Sequence, residues 1–326
     1  MKRFISRFVL FLLPFALLAY GADRFISGKL KKIYGYKEGE FSVWNDLYAG
    51  NIKSDILIYG SSRAWLHIDP SIMEDSLHIL TYNIGINSHN FWLENFRHQM
   101  LLKYCQKPKL IIHSLGMATV EKRVDLFNAD QFLPYMLFNK DMERTIISYK
   151  GYSTADFYVP MLRYFGKRDA LVAAMKYTLK PSNNPIKRIK GFEAVEDLSW
   201  HNDLEKVKKR MKYYEVKIDT ATVSLFETYI ADCKKQGIQL LLLFSPEYIE
   251  GQRFTKNRED VITIYRNLSA KYQVPFYDYS NDPMSYDQKY FFNAEHLNKL
   301  GSDLFTQKLV DTLRHSGLLK TINLNL

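Results

Sequence analysis

The stretch DILIYGSSRAW (residues 55–65) decides the fold. Ile56, Leu57, Ile58 and Tyr59 leave no polar face, so the run reads as a strand buried on both sides, as in a parallel sheet covered by helices. It stops at Gly60 and turns polar at Ser61, Ser62 and Arg63. Two adjacent hydroxyls in that place fit a turn that caps the next helix. They also fit a reactive site, because open parallel sheets gather reactive residues at the carboxyl ends of their strands.

Working outward, four more apolar runs recur: ILTYNIG (79–85), KLIIHSL (109–115), IQLLLLFSP (238–246) and PFYDYS (275–280). Helical patterns lie between and after them, at 90–106, 220–237, 258–273 and 300–317. The alternation predicts an α/β fold: a three-layer α/β/α sandwich around a five-stranded, mainly parallel sheet. The stretch 116–219 interrupts it, broken by Pro134, Pro160, Pro181 and Pro185, and reads as a helical insertion after the third strand. The main domain is expected over 54–318, with a short tail at 319–326.

Lys2, Arg3 and Arg7 precede an uncharged apolar stretch at 8–22, the pattern of a secretory signal or membrane anchor over 1–22, followed by a connecting segment at 23–53. The chain has 326 residues and a net charge of +10, with basic clusters at 28–37, 184–191 and 205–217. Such clusters suit anionic lipid, acidic glycan or nucleic acid, or are solvated helix faces. An exported chain disfavours nucleic acid. Two cysteines, Cys105 and Cys233, form no disulfide framework and read as free thiols or one bridge.

The strand ends supply a candidate for each role in serine chemistry. Ser62 is the candidate nucleophile and His296, in FFNAEHLNKLGS (291–302), the base. Asn293 would orient the imidazole. The backbone N–H groups of Ser62 and Gly85 would form part of the oxyanion hole. Against this stands a plain helix cap and a surface histidine. No GxSxG elbow is present, and GSSRAW has one glycine where a phosphate loop needs several. No cofactor and no metal are expected.

The ordered set of blocks resembles the SGNH (GDSL-type) hydrolase superfamily, with its flavodoxin-like sheet, and is similar to its envelope-anchored DltD-like and alginate O-acetylation members. Gly60-Ser61-Ser62 matches the first block, Gly85 in YNIG the second, and Asn293 through Asn298 with Gly301 the last. Two positions depart from the pattern. Asn293 stands where the family has aspartate, leaving Glu295 or Asp287 as substitutes, and Gly116-Met117-Ala118-Thr119 lacks the third block's oxyanion-hole asparagine, for which Asn87 or Ser88 would stand in. The resemblance implies an esterase or O-acyl(acetyl)transferase of the bacterial cell envelope. It would act on a polysaccharide through an acyl-Ser62 intermediate, with a membrane-bound acyltransferase as partner. The alternative is a catalytically weak relative that binds glycan or assists such a partner.

Overall fold

The computed structural model describes residues 1–35, 39–87, 90–181 and 186–321. The chain forms two compact units: Met1–Asn45 with Val124–Lys187, and Asp46–Arg123 with Arg188–Leu326.

The larger unit holds five parallel strands in the order β2-β1-β3-β4-β5, namely β1 (Ile56–Gly60), β2 (Thr81–Asn83), β3 (Leu110–Ser114), β4 (Gln239–Phe244) and β5 (Phe276–Asp278). The period of two sends alternate side chains to opposite faces. On one face Ile56, Ile58, Leu110, Ile112, Leu241 and Leu243 pack against Met73 and Leu77 of the helix Pro70–Leu77. Phe305, Leu309, Val310 and Leu313 of the helix Lys299–His315 complete that layer. On the other face lie the helices Phe91–Tyr104, Thr220–Lys235 and Arg258–Tyr272. Burying each leucine or isoleucine contributes about 1.5–3 kcal/mol, which explains why these runs carry no polar alternation.

The fold therefore follows the sequence expectation: a five-stranded parallel sheet between helical layers. The strand order reverses direction between β1 and β3, and this switch point is where open α/β sheets place their ligands. Ser62 follows β1 there. Gly60 is required at that turn: its φ is +131°, and an added Cβ would lie 2.3 Å from the Ser114 carbonyl oxygen.

The smaller unit is helical. Its first element, α1 (Lys2–Leu30), is one helix of 29 residues with an 18-residue window of mean hydropathy 1.9, none of it buried. By length and composition α1 is able to cross a membrane. The expected boundary at residue 22 falls inside this helix. The helix continues because Asp23, Ser27 and Leu30 are buried in the unit. Asp23 accepts hydrogen bonds from Nη1 and Nη2 of the buried Arg163 (2.6 and 2.9 Å) and from the Met161 N–H (2.8 Å). Trp44 donates to Gln131 Oε1 at 2.7 Å and edges onto Phe132.

As expected, the stretch 116–219 follows β3 and its elements are helices, but its residues divide between the two units. Residues 124–187 join the N-terminal helices, whereas 116–123 and 188–219 belong to the sheet unit. The partners that hold 124–187, such as Asp23 for Arg163 at a separation of 140 residues and Trp44 for Gln131 at 87, are out of reach of local pattern. Cys105 and Cys233 are free thiols, the latter fully buried.

Candidate active site

Ser62 is the first residue of the helix Ser62–His67, directly after β1 and the turn at Gly60-Ser61. Its Oγ lies 2.8 Å from Nε2 of His296. These two residues are 234 positions apart in sequence, and the fold brings them into hydrogen-bond contact.

The protonation of His296 follows from its neighbours. Asn293 Oδ1 accepts the backbone N–H groups of Glu295 and His296, each at 3.0 Å. Two N–H donors converging on one atom require that atom to be the amide oxygen. His296 Nδ1 lies 3.1 Å from the same oxygen, so it carries the proton and donates. Nε2 then presents its lone pair to the Ser62 hydroxyl, the arrangement of a general base. Burial and the positive charge of Arg63 pull the His296 pKa down to about 4, so the ring is neutral at pH 7.

The turn 292–296 is built by the same asparagine. Phe292 N–H donates back to the His296 carbonyl at 2.8 Å, and Phe291 bridges to Leu297 in antiparallel register. Asn293 is at once the turn former and the imidazole's partner. The substitutes for an acid are engaged elsewhere or exposed: Asp287 caps Lys289 and pairs with its Nζ at 2.8 Å, and Glu295 is exposed.

Beneath this pair lies a polar cluster that sequence reasoning did not single out. His67 Nε2 accepts the Leu297 N–H at 3.1 Å, which leaves its Nδ1–H to donate to Ser245 Oγ at 2.8 Å. His67 is fully buried. Burial first, then the charges of Arg63 and His296, hold its pKa well below the usual histidine range. The Arg63 guanidinium donates to the Ser245 carbonyl and hydroxyl and stacks over Phe244 at 4.3 Å. The buried carboxylate of Glu247 lies 3.8 Å from Arg63 and from Arg258; burial raises its pKa and the two guanidinium groups oppose that. Arg63 sits beside Ser62 in GSSRAW, which is a signal of a kind. His67 and Ser245 carry none, because their roles exist only once β1 and β4 lie in one sheet.

The expected oxyanion donors fare unevenly. The Ser62 N–H opens a helix and has no partner within it. The Gly85 N–H, by contrast, is spent: it donates to Asn83 Oδ1 at 3.0 Å, inside a niche where an added Cβ would lie 2.8 Å from the Trp65 nitrogen. Gly85 thus shapes the wall behind the helix Ser62–His67, and in this geometry offers no hydrogen to an oxyanion. Asn87 is half-buried and, like Gly85, is not among the described residues lining the cavity at Ser62. Ser88 lies outside the described residues. The Gly116 N–H, at the end of β3, donates to Thr119 Oγ1 at 3.0 Å.

The cavity has a volume of about 450 Å³. Ser61, Ser62, Asn293 and His296 form one side, and Leu204, Val207 and Phe254 contribute apolar surface elsewhere. Among the described residues no group of three or more His, Cys, Asp or Glu side chains is placed to hold a metal ion.

No protein-family profile and no curated protein sequence matches the chain. Among solved structures, one from Streptococcus pneumonia, provisionally described as a platelet activating factor, is similar at 13% identity and a TM-score of 0.43. It covers 94% of this chain and 99% of that one. The acetyl xylan esterase AlAXEase is similar at 12% identity and a TM-score of 0.40, covering 79% and 98%. Likeness at this level assigns no activity to this chain.

Proposed function

We propose that the sheet unit is a serine acyl-transfer enzyme of the SGNH type. The observation that carries the reading is the 2.8 Å contact from Ser62 Oγ to an imidazole nitrogen whose lone pair is fixed by Asn293. In the first step Ser62 Oγ attacks an ester carbonyl while its proton passes to His296 Nε2. The Ser62 N–H faces the developing oxyanion. The tetrahedral intermediate then expels the alcohol, which takes the proton from Nε2 and leaves acyl-Ser62. A water or a sugar hydroxyl, deprotonated by the same nitrogen, attacks the acyl-enzyme and frees Ser62. Water makes the protein an esterase and a sugar hydroxyl makes it an O-acyltransferase. The apolar helix α1 suits a membrane-anchored or exported protein of the cell envelope, with an envelope polysaccharide as substrate and a membrane-bound acyltransferase as partner.

A second reading has its own support. With no carboxylate on His296 and with the Gly85 and Gly116 N–H groups engaged, the site suits a protein that binds a glycan or assists an acyltransferase with little turnover of its own. A fluorophosphonate probe separates the two. Labelling of the wild type that is lost in Ser62→Ala and His296→Ala supports the enzyme. Absence of labelling and of acetyl-ester turnover between about pH 6 and 9, the range in which a histidine base works, overturns it.

A further inference from the structure

The smaller unit carries an apolar surface that the chemistry above does not use. The helix Arg168–Leu179 packs against α1, and its buried residues are Ala170 and Ala174. At 3.6 residues per turn, Val172, Met175 and Leu179 fall on roughly the opposite side. They are 36%, 63% and 79% exposed, and Phe165, in the turn before the helix, is 89% exposed. A soluble surface helix turns its apolar stripe inward and its charges outward. Here the fully buried residues are the small Ala170 and Ala174, Leu171 and Tyr177 are half-buried, and Val172, Met175 and Leu179 point away from the unit. Between 168 and 180 three cations, Arg168, Lys176 and Lys180, all exposed, accompany a single acid, Asp169.

We propose that this face lies in the headgroup layer of an anionic bilayer, beside the point where α1 enters the membrane. Two observations choose lipid over other occupants. The first is continuity: the helix packs on α1, whose apolar window is unburied and long enough to span. The second is charge. An interfacial helix of this type sinks its apolar face about 5–10 Å below the headgroups while flanking Lys and Arg contact anionic phosphates. The exposed ring of Phe165 adds to the apolar surface beside this helix. The assignment stands independently of the chemistry at Ser62.

The test uses the full-length chain reconstituted in phosphatidylcholine vesicles containing about one-third phosphatidylglycerol. A bimane fluorophore is placed at Met175→Cys, at Leu179→Cys or, as a control elsewhere in the same unit, at Arg144→Cys. Wild type, with only Cys105 and Cys233, defines the background. A nitroxide lipid carrying its label just below the headgroup is expected to quench the bimane at 175 and 179 about twofold more than at 144. Arg168→Glu with Lys176→Glu is expected to reduce that excess. Equal quenching at all three positions overturns the proposal. So does efficient disulfide cross-linking between two copies of the unlabelled Met175→Cys variant at low protein density, which assigns the face to a second copy of the chain. An excess unaffected by charge reversal overturns the anionic-lipid assignment.

Discussion

Replacing Asn293 by aspartate tests the logic of the site most directly. The carboxylate is nearly isosteric with the amide and can accept the same three hydrogens, from the Glu295 and His296 N–H groups and from His296 Nδ1, so the turn is retained. What changes is charge. A carboxylate and an imidazolium with centres about 4 Å apart attract by about 4 kcal/mol at an effective dielectric near 20. Position 293 is half-buried, so screening by water halves this to about 2 kcal/mol, or about 1.5 pKa units. The His296 pKa is then expected to move from about 4 to roughly 5.5. The imidazolium that forms during acylation is stabilised by the same energy, so acylation quickens about 30-fold. Removing the triad aspartate from a serine protease costs about 10⁴-fold because it also inverts the imidazole tautomer. Here the tautomer is already correct, so only the electrostatic part remains to be gained. The assays are the pH dependence of fluorophosphonate labelling from about pH 3 to 9 and an NMR titration of the His296 ring. An acid limb that stays near pH 4 in Asn293→Asp, with no gain in rate and the turn intact, would refute the reasoning.

Other expectations follow from named contacts. Gly60→Ala forces a Cβ to within 2.3 Å of the Ser114 carbonyl at a φ of +131°, and is expected to cost about 2–4 kcal/mol in urea unfolding. Arg163→Met leaves Asp23 charged and buried in the helical unit and is expected to cost about 3–5 kcal/mol. Adding Asp23→Leu restores part of it, and thermal melting of the two variants measures the difference. His67, His98 and His296 all have folded pKa values depressed by burial, the last two to about 3 and about 4. The unfolded chain takes up their protons near pH 6.5 and the folded chain does not, so stability is full above that value and falls as pH drops below it. Urea midpoints that do not decline between about pH 6.5 and 5, above the main carboxylate range, would contradict this.

The sequence reveals the scaffold because its signal is local and repeated. ILIY, LIIH and LLLLF are each apolar on both faces, which a parallel sheet covered by helices on both sides requires. Ser62 and His296 are legible for a related reason, since they stand at chain positions that the strand ends define. Asn293 is harder: by pattern it is a missing acid, and only the structure shows one oxygen both closing the turn and fixing the imidazole. Gly85 reverses the case. Its identity fits an oxyanion donor, but an asparagine two residues earlier claims its N–H. The division of 116–219 is invisible locally because Arg163 finds its partner 140 positions away on α1.

Arg63 draws these threads into one electrostatic argument. Its charge is buried beside the dyad, and it is one of the two causes that lower the His296 pKa. A field that disfavours a proton on the imidazole favours negative charge on an oxygen nearby, and the oxyanion formed on acylation of Ser62 is such a charge. On the proposed chemistry, with the Gly85 and Gly116 N–H groups engaged, the Ser62 N–H and this field are what the described residues offer the oxyanion. Arg63→Met should then raise the His296 pKa and slow acylation together, although a more basic imidazole alone would quicken it. Loss of the contacts to Ser245 also perturbs the site, so Arg63→Lys, which keeps the charge and gives up the guanidinium fork, is the control. A rate in Arg63→Lys well above that in Arg63→Met assigns the effect to charge. Equal rates in the two variants would assign Arg63 to holding Ser245 alone.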